Sequence, residues 1–192
     1  MTLPARYTKV AILLHWIVTV LILANFALIL AWENVGEDQE ATLVGYHMSI
    51  GLTVFGFVVI RILWRLTHPA PAFAERYARW EKMLAHAVHG LLYLLTLGVP
   101  IGGYLMLSSW KGVTQYPIMW FGLFEVPALA PLVAMAAEQR EAIHHFFEEA
   151  HELAGWTMLA LIVLHVVGAL KHQFIDKEPE LQRMLLREPK VD

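Results

Sequence analysis

The stretch HELAGWTMLALIVLHVVGALKHQF, residues 151–174, decides the fold. From Leu153 to Leu170 it holds no charged side chain. A helix of about 17–25 such residues is what crosses the roughly 30 Å of hydrocarbon in a bilayer. The same stretch carries two histidines fourteen residues apart, His151 and His165. At about 100° per residue their side chains lie within about 40° of each other and about 21 Å apart along the axis. One face of one membrane helix thus offers an imidazole near each surface.

Working outward, three further uncharged runs have the same character: Val10–Trp32, Ala41–Ile60 and Met83–Trp110. None alternates as a barrel strand would, and lipid leaves backbone groups no partner outside a helix. The expected architecture is all-α: an integral membrane four-helix bundle over residues 1–192 as a single domain, with helices at about 10–32, 41–66, 83–110 and 152–172. Composition agrees, since 58% of the 192 residues are hydrophobic and only 16% charged, against about 45–50% and about 25% in soluble domains. The mean hydropathy is +0.53.

Charge sets the orientation. Twelve of the fourteen basic residues fall before helix 1, between helices 2 and 3, or after helix 4, Arg187 and Lys190 among them. The other two connections hold Lys111 and Arg140 against many acids, including Glu33, Glu37 and Asp38 in the first and Glu125, Glu138, Glu141, Glu148, Glu149 and Glu152 in the second. The positive-inside rule makes the N and C termini cytoplasmic and leaves a long outer loop, periplasmic in a bacterium, between helices 3 and 4 of a multi-pass membrane protein. Pro117, Pro127 and Pro131 argue against a fifth span in that loop, which reads as a cap on the outer face. A net charge of -3 gives no basic patch for nucleic acid. With no cysteine, disulfides, iron–sulfur clusters and covalently attached haem are excluded.

The ten histidines remain as nitrogen ligands. His15 on helix 1 matches His165 in depth near the inner surface, and His47 on helix 2 matches His151 near the outer one. Two stacked bis-histidine sites in an apolar bundle are what two b-type haems require, with His15 and His165 on the inner iron and His47 and His151 on the outer. Gly51, Gly155 and Gly168, each one turn from a histidine, suit a flat ring against backbone. Zinc would want about four compact ligands and no acid lies within the spans to complete a site. Four unrelated interface histidines are the bland alternative, countered by the cost of ionisable groups in lipid.

Other residues carry weaker signals. Arg61, fourteen residues after His47, falls at the depth of the inner site, where it either pairs with a haem propionate or snorkels to the interface. His172, seven residues after His165, is placed to hydrogen-bond and protonate a quinone, or is a plain interfacial histidine; Lys171, rotated by about 100°, is expected to meet headgroups. His86 and His89 read as interfacial partners of a headgroup or propionate, His68 as a loop residue, and His144 and His145 as part of a surface helix.

These pieces together resemble the prokaryotic cytochrome b561 family, small di-haem, four-helix, quinone-linked cytochromes that include superoxide oxidase. The resemblance rests on AILLHWIV with His15, YHMSIG with His47, VIRILWRLTHPAP with Arg61, AHAVHGLLYLLTLGVPIGGYLM for helix 3 and the helix 4 stretch quoted first. It implies ligation by the same two pairs, ubiquinone as substrate in a pocket near the inner haem that includes His172, and superoxide as electron donor. The expected activity is a superoxide:ubiquinone oxidoreductase. The alternative is an electron conduit linking the quinone pool to a periplasmic redox protein.

Overall fold

The computed structural model describes residues 6–32 and 34–186, the side chains of Glu37 and Asp38 aside. Glu33, Arg187 and Lys190, and the side chains of Glu37 and Asp38, therefore lie outside the described residues. Among the described residues four helices are long and apolar enough to cross a membrane: α1 (Lys9–Trp32), α2 (Glu37–Thr67), α3 (Arg79–Ser109) and α5 (Ala137–Phe174). Between α3 and α5 come a two-stranded antiparallel hairpin, β1 (Met119–Trp120) with β2 (Phe124–Glu125), and the single turn α4 (Ala130–Val133); α6 (Glu180–Arg183) follows α5.

Each long helix runs past the uncharged core of its span. α2 and α3 begin four residues before the expected 41 and 83, and α5 begins at Ala137 rather than 152. The fourth span and the acidic stretch before it are one helix of 38 residues, about 57 Å long at 1.5 Å per residue. Nothing helix-breaking separates them, because Glu138 to Glu152 contain no proline or glycine and are mostly Glu, Gln, Arg and Ala, which are good helix formers. His144 and His145 sit on this extension. His144 Nδ1 bonds Met106 O at 2.9 Å, tying the extension to α3.

α1 packs along α2, α3 along α5, and α2 touches α3. The core they share is small: Val18, Ile22, Val54, Val58 and Met158. Much apolar surface points outward, as on Leu63, Leu94 and Val163, each more than half exposed. A soluble protein rarely shows such a belt; a helix surrounded by lipid has no reason to hide it.

The segment after α3 is folded onto the bundle. Phe121 (φ 48°) and Gly122 (φ 70°) supply the left-handed turn of the hairpin. Ser49, 1% exposed on α2, accepts from Phe121 N at 2.9 Å, and Trp120 Nε1 donates to Thr53 Oγ1 at 3.0 Å. Arg140 lays its guanidinium across the end of α3, donating from Nε to Ser109 O at 3.1 Å and from Nη2 to Trp110 O at 2.5 Å. Those helix-end carbonyls have no partner inside the helix.

Candidate functional site

α1 and α2 each meet α5 through histidines. The rings of His15 and His165 have centroids 6.3 Å apart, and those of His47 and His151 are 6.0 Å apart. Neither α1 nor α2 packs its backbone along α5 over any length, so each pair reaches across a gap between helices. A separation near 6 Å is what two imidazoles have with one metal ion between them, from two metal–nitrogen bonds of about 2 Å and about 1 Å from each nitrogen to its ring centre.

At the pair nearer the hairpin, His151 is held by α3. Its Nδ1–H donates to Val99 O at 2.9 Å, which fixes the tautomer and leaves Nε2 with a free lone pair, the second-shell arrangement of a metal-ligating histidine. The ring lies flat against Gly103, where a Cβ would stand only 3.0 Å from His151 Cε1 and 3.2 Å from Nδ1. By contrast, a Cβ on Gly155 or Gly168 would meet nothing within 4 Å. The glycine that matters for ring packing is thus on α3, not among the three expected from spacing. A cavity of about 420 Å³ opens beside this pair, lined by His47, His151, Gly51, Gly103, Asn25 and Ile118 among others. His47 Nδ1 is buried without a hydrogen bond of normal geometry, although the Asn25 main chain lies beside it, and Asn25 Oδ1 is likewise buried and unpartnered. Asn25 escaped the sequence reading; its signal was an amide within an otherwise apolar run of α1.

The other pair, near the end of the bundle bearing both described chain ends, has a third histidine. His89 on α3 has its ring centroid 5.0 Å from that of His165, closer than His15 comes. His89 Nδ1 bonds Ala85 O at 2.6 Å, and His86 repeats the pattern with Lys82 O at 2.6 Å. His15 Nδ1 is buried with no partner. Arg61 acts electrostatically on all three imidazoles. Its guanidinium lies over the Tyr93 ring, 5.3 Å from the centroid, and forms no ion pair with a carboxylate among the described residues. A cation so placed suits an anionic group such as a propionate.

The residues present therefore fit a haem at each pair: buried unpartnered imidazole nitrogens, a ring oriented by a carbonyl, an apolar gap and a cation at one end. The one described set of three or more His, Asp or Glu donors within 4.8 Å of one another is elsewhere, at Glu81, His172 and Asp176. His172 Nδ1 is 2.6 Å from Asp176 Oδ2, and its ring lies on that of Tyr77 at 4.2 Å and 31°. Lys171 does not reach out to headgroups as expected; its Nζ bonds Glu81 Oε1 at 2.5 Å and Asp176 Oδ2 at 2.7 Å, because the chain turns back after α5 and brings Asp176 under it. His68 stacks on Trp64 at 3.9 Å.

Comparison with known proteins joins these observations. Cytochrome b561 homolog 2 of Escherichia coli strain K12 is 33% identical over 184 residues, covering 95% of this chain and 92% of that protein. Cytochrome b562 of Cereibacter sphaeroides is 29% identical, with 96% and 98% covered. A protein of Yersinia pestis described as a probable superoxide oxidase, CybB, is 25% identical, with 94% and 96% covered. The family model for prokaryotic cytochrome b561 matches residues 6–187, the whole of the four-helix bundle with both histidine pairs. This chain belongs to the prokaryotic cytochrome b561 family, and is a membrane electron-transfer protein of the b-haem type.

Proposed function

We infer that the protein is a di-haem membrane oxidoreductase of the bacterial inner membrane, passing electrons from the hairpin-capped end of the bundle to ubiquinone at the opposite, basic end. The single observation that carries this reading is the pair of facing imidazoles at each end, 6.0 Å and 6.3 Å apart, across helices that otherwise stand clear of each other. His47 and His151 would hold one haem, and His15 and His165 the other. The haems supply reversible one-electron chemistry at iron. The chain's own residues do the rest: Val99 O and Gly103 orient His151, Arg61 balances negative charge near His165, and His172 presents an N–H toward a quinone carbonyl. Positive-inside charge puts the basic end in the cytoplasm, where protons for quinone reduction are drawn.

Superoxide is the donor we assign, by likeness to the Yersinia pestis protein described as a probable superoxide oxidase. One observation favours a second reading, a conduit fed by a basic periplasmic redox protein. The hairpin end is rich in acids, and one of its two cations, Arg140, is spent on the α3 carbonyls. An acidic rim repels a small anion and attracts a basic protein. The test is turnover by the purified chain given only a superoxide source and a ubiquinone analogue. Quinol formation matched to superoxide loss supports the oxidase; none, with quinone-dependent haem reoxidation intact, supports the conduit.

A further inference from the structure

After α5 the chain makes a tight turn. Ile175 N and Asp176 N both bond Lys171 O, at 2.9 Å and 3.2 Å, and Glu178 N bonds His172 O at 2.9 Å. Lys177 holds a left-handed φ of 58° without being glycine, a conformation a bulky side chain avoids unless the surroundings impose it. The turn has one chemical result: the Asp176 carboxylate is brought up against the last residues of the helix it has just left. It accepts from His172 Nδ1 at 2.6 Å and from Lys171 Nζ at 2.7 Å. Against the face of the imidazole lies the buried ring of Tyr77, whose hydroxyl donates to Glu180 Oε1 at 2.9 Å. His172 is therefore gripped on two sides with its Nδ1 committed, and Nε2 is the nitrogen left for other work.

We propose that Asp176 is the positioning residue of proton delivery to quinone: it fixes His172 with a proton on Nδ1 and stabilises the imidazolium whose Nε2–H passes to the quinone carbonyl. This rests on the reading of the basic end as the quinone end. Reduction of a benzoquinone to its hydroquinone takes two electrons, which a bound b-type haem would supply one at a time, and two protons. In each protonation the His172 Nε2–H bond breaks and a quinone O–H bond forms. His172 is left neutral, still donating Nδ1–H to Asp176, and regains its Nε2 proton from cytoplasmic water.

The surrounding charges fit that cycle. From α5 itself Lys171 faces the pair, from α3 Glu81, and from the α2–α3 connection Arg76, which bonds Asp176 O and pairs with Glu178. From α6 come Glu180 and the buried Arg183, paired at 3.1 Å. Three cations meet four carboxylates, so one added proton on His172 brings the cluster to neutrality. The three donors Glu81, His172 and Asp176 also have the look of a cation site, but the Lys171 ammonium already bridges the two carboxylates. Its hydrogen bond to Asp176 holds that carboxyl below the usual range, so Asp176 stays anionic and acts by orientation and charge rather than by carrying the proton.

The experiment is stopped-flow reoxidation of the dithionite-reduced holoprotein in nanodiscs by a short-chain ubiquinone analogue, from pH 5 to 9, alongside reoxidation by ferricyanide, which takes no proton. For D176N we expect reoxidation by quinone about tenfold or more slower at neutral pH, with the fall of rate on raising pH moved to lower pH, and ferricyanide unchanged. D176E should recover part of the rate. K171M, which removes a cation from the dyad, should move the same fall to higher pH. Opposite shifts in D176N and K171M support the proposal, and a D176N profile equal to wild type while H172A is slow overturns it alone. If H172A itself reoxidises at the wild-type rate, the quinone reading of this end fails first. Should D176N lose its haem, the K171M profile decides: a shift to higher pH supports the proposal, and no shift or the reverse overturns it.

Discussion

Gly103 offers a sharp test of how the hairpin-end pair is built. A methyl group there would lie 3.0 Å from His151 Cε1 and 3.2 Å from its Nδ1. Ordinary carbon contacts begin at about 3.5 Å, so the ring must retreat by about half an ångström. Such a retreat stretches the 2.9 Å bond from Nδ1 to Val99 O and pushes χ angles off their wells, at about 0.5–1.5 kcal/mol for a displacement of that order. Since 1.4 kcal/mol is about a factor of ten, Gly103→Ala should loosen the haem at this pair by about two- to tenfold. Gly103→Val should cost more, about 1–3 kcal/mol as for other overpacked sites. Gly155→Ala and Gly168→Ala are the controls. Their Cβ atoms meet nothing within 4 Å, and removing a mid-helix glycine favours the helix by about 1 kcal/mol. The assay is transfer of haem to apomyoglobin, followed at the Soret band, with the α-band component lost first assigned by comparison with His47→Ala. Unchanged transfer in Gly103→Ala and Gly103→Val, or faster transfer in Gly155→Ala, would refute this account of what holds His151.

Other perturbations follow from the same contacts. Arg140→Ala strips Ser109 O of its side-chain partner and leaves Trp110 O only the bond from Val113 N, and should lower the midpoint of thermal unfolding, by about 1–3 kcal/mol of stability, with proteolysis appearing first between residues 111 and 136. Ser49→Ala takes the side-chain acceptor from the part-buried Phe121 N–H, and limited proteolysis should find the hairpin opened while haem content at the basic end is unchanged. Burial, with the Glu180 hydrogen bond, raises the Tyr77 hydroxyl well above its ordinary range; the stability it contributes is complete below about pH 10 and is lost as pH rises further through the folded-state value. Asp176 has the opposite sign, held low by Lys171, so its contribution is present above about pH 4 and fades only as pH falls below. Tryptophan fluorescence should accordingly report loosening of the segment after α5, where Trp16 Nε1 bonds Met184 O, at both extremes, and Tyr77→Phe should remove the alkaline limb.

The long helices were legible in sequence because membrane length and charge leave few solutions, and the fourteen-residue interval from His151 to His165 survives any error in helix ends. Helix ends themselves were not legible. Uncharged runs mark where lipid begins, whereas Glu138 to Glu152 continue α5 beyond it with no proline or glycine to stop the helix. Spacing along one helix singles out Arg61 and His172 as candidates, since the period fixes a face. It could not find Gly103, whose role depends on how α3 leans on α5, or the closeness of His89 to His165, which is a contact between helices. Lys171 was misjudged for a related reason: the residue that captures it, Asp176, arrives through a turn after the helix that no periodicity describes. The hairpin had a signal, Phe121-Gly122 between apolar residues, masked by the prolines around it.

The central claim is that two histidine pairs hold two haems independently, and pyridine haemochrome quantification of the wild type, His15→Ala and His47→Ala, with the reduced-minus-oxidised spectrum of each, tests it most directly. The account predicts two haems b per chain in the wild type, about one in each variant, and loss of different α-band components in the two. A wild-type ratio of one, or the same component missing from both variants, would contradict it.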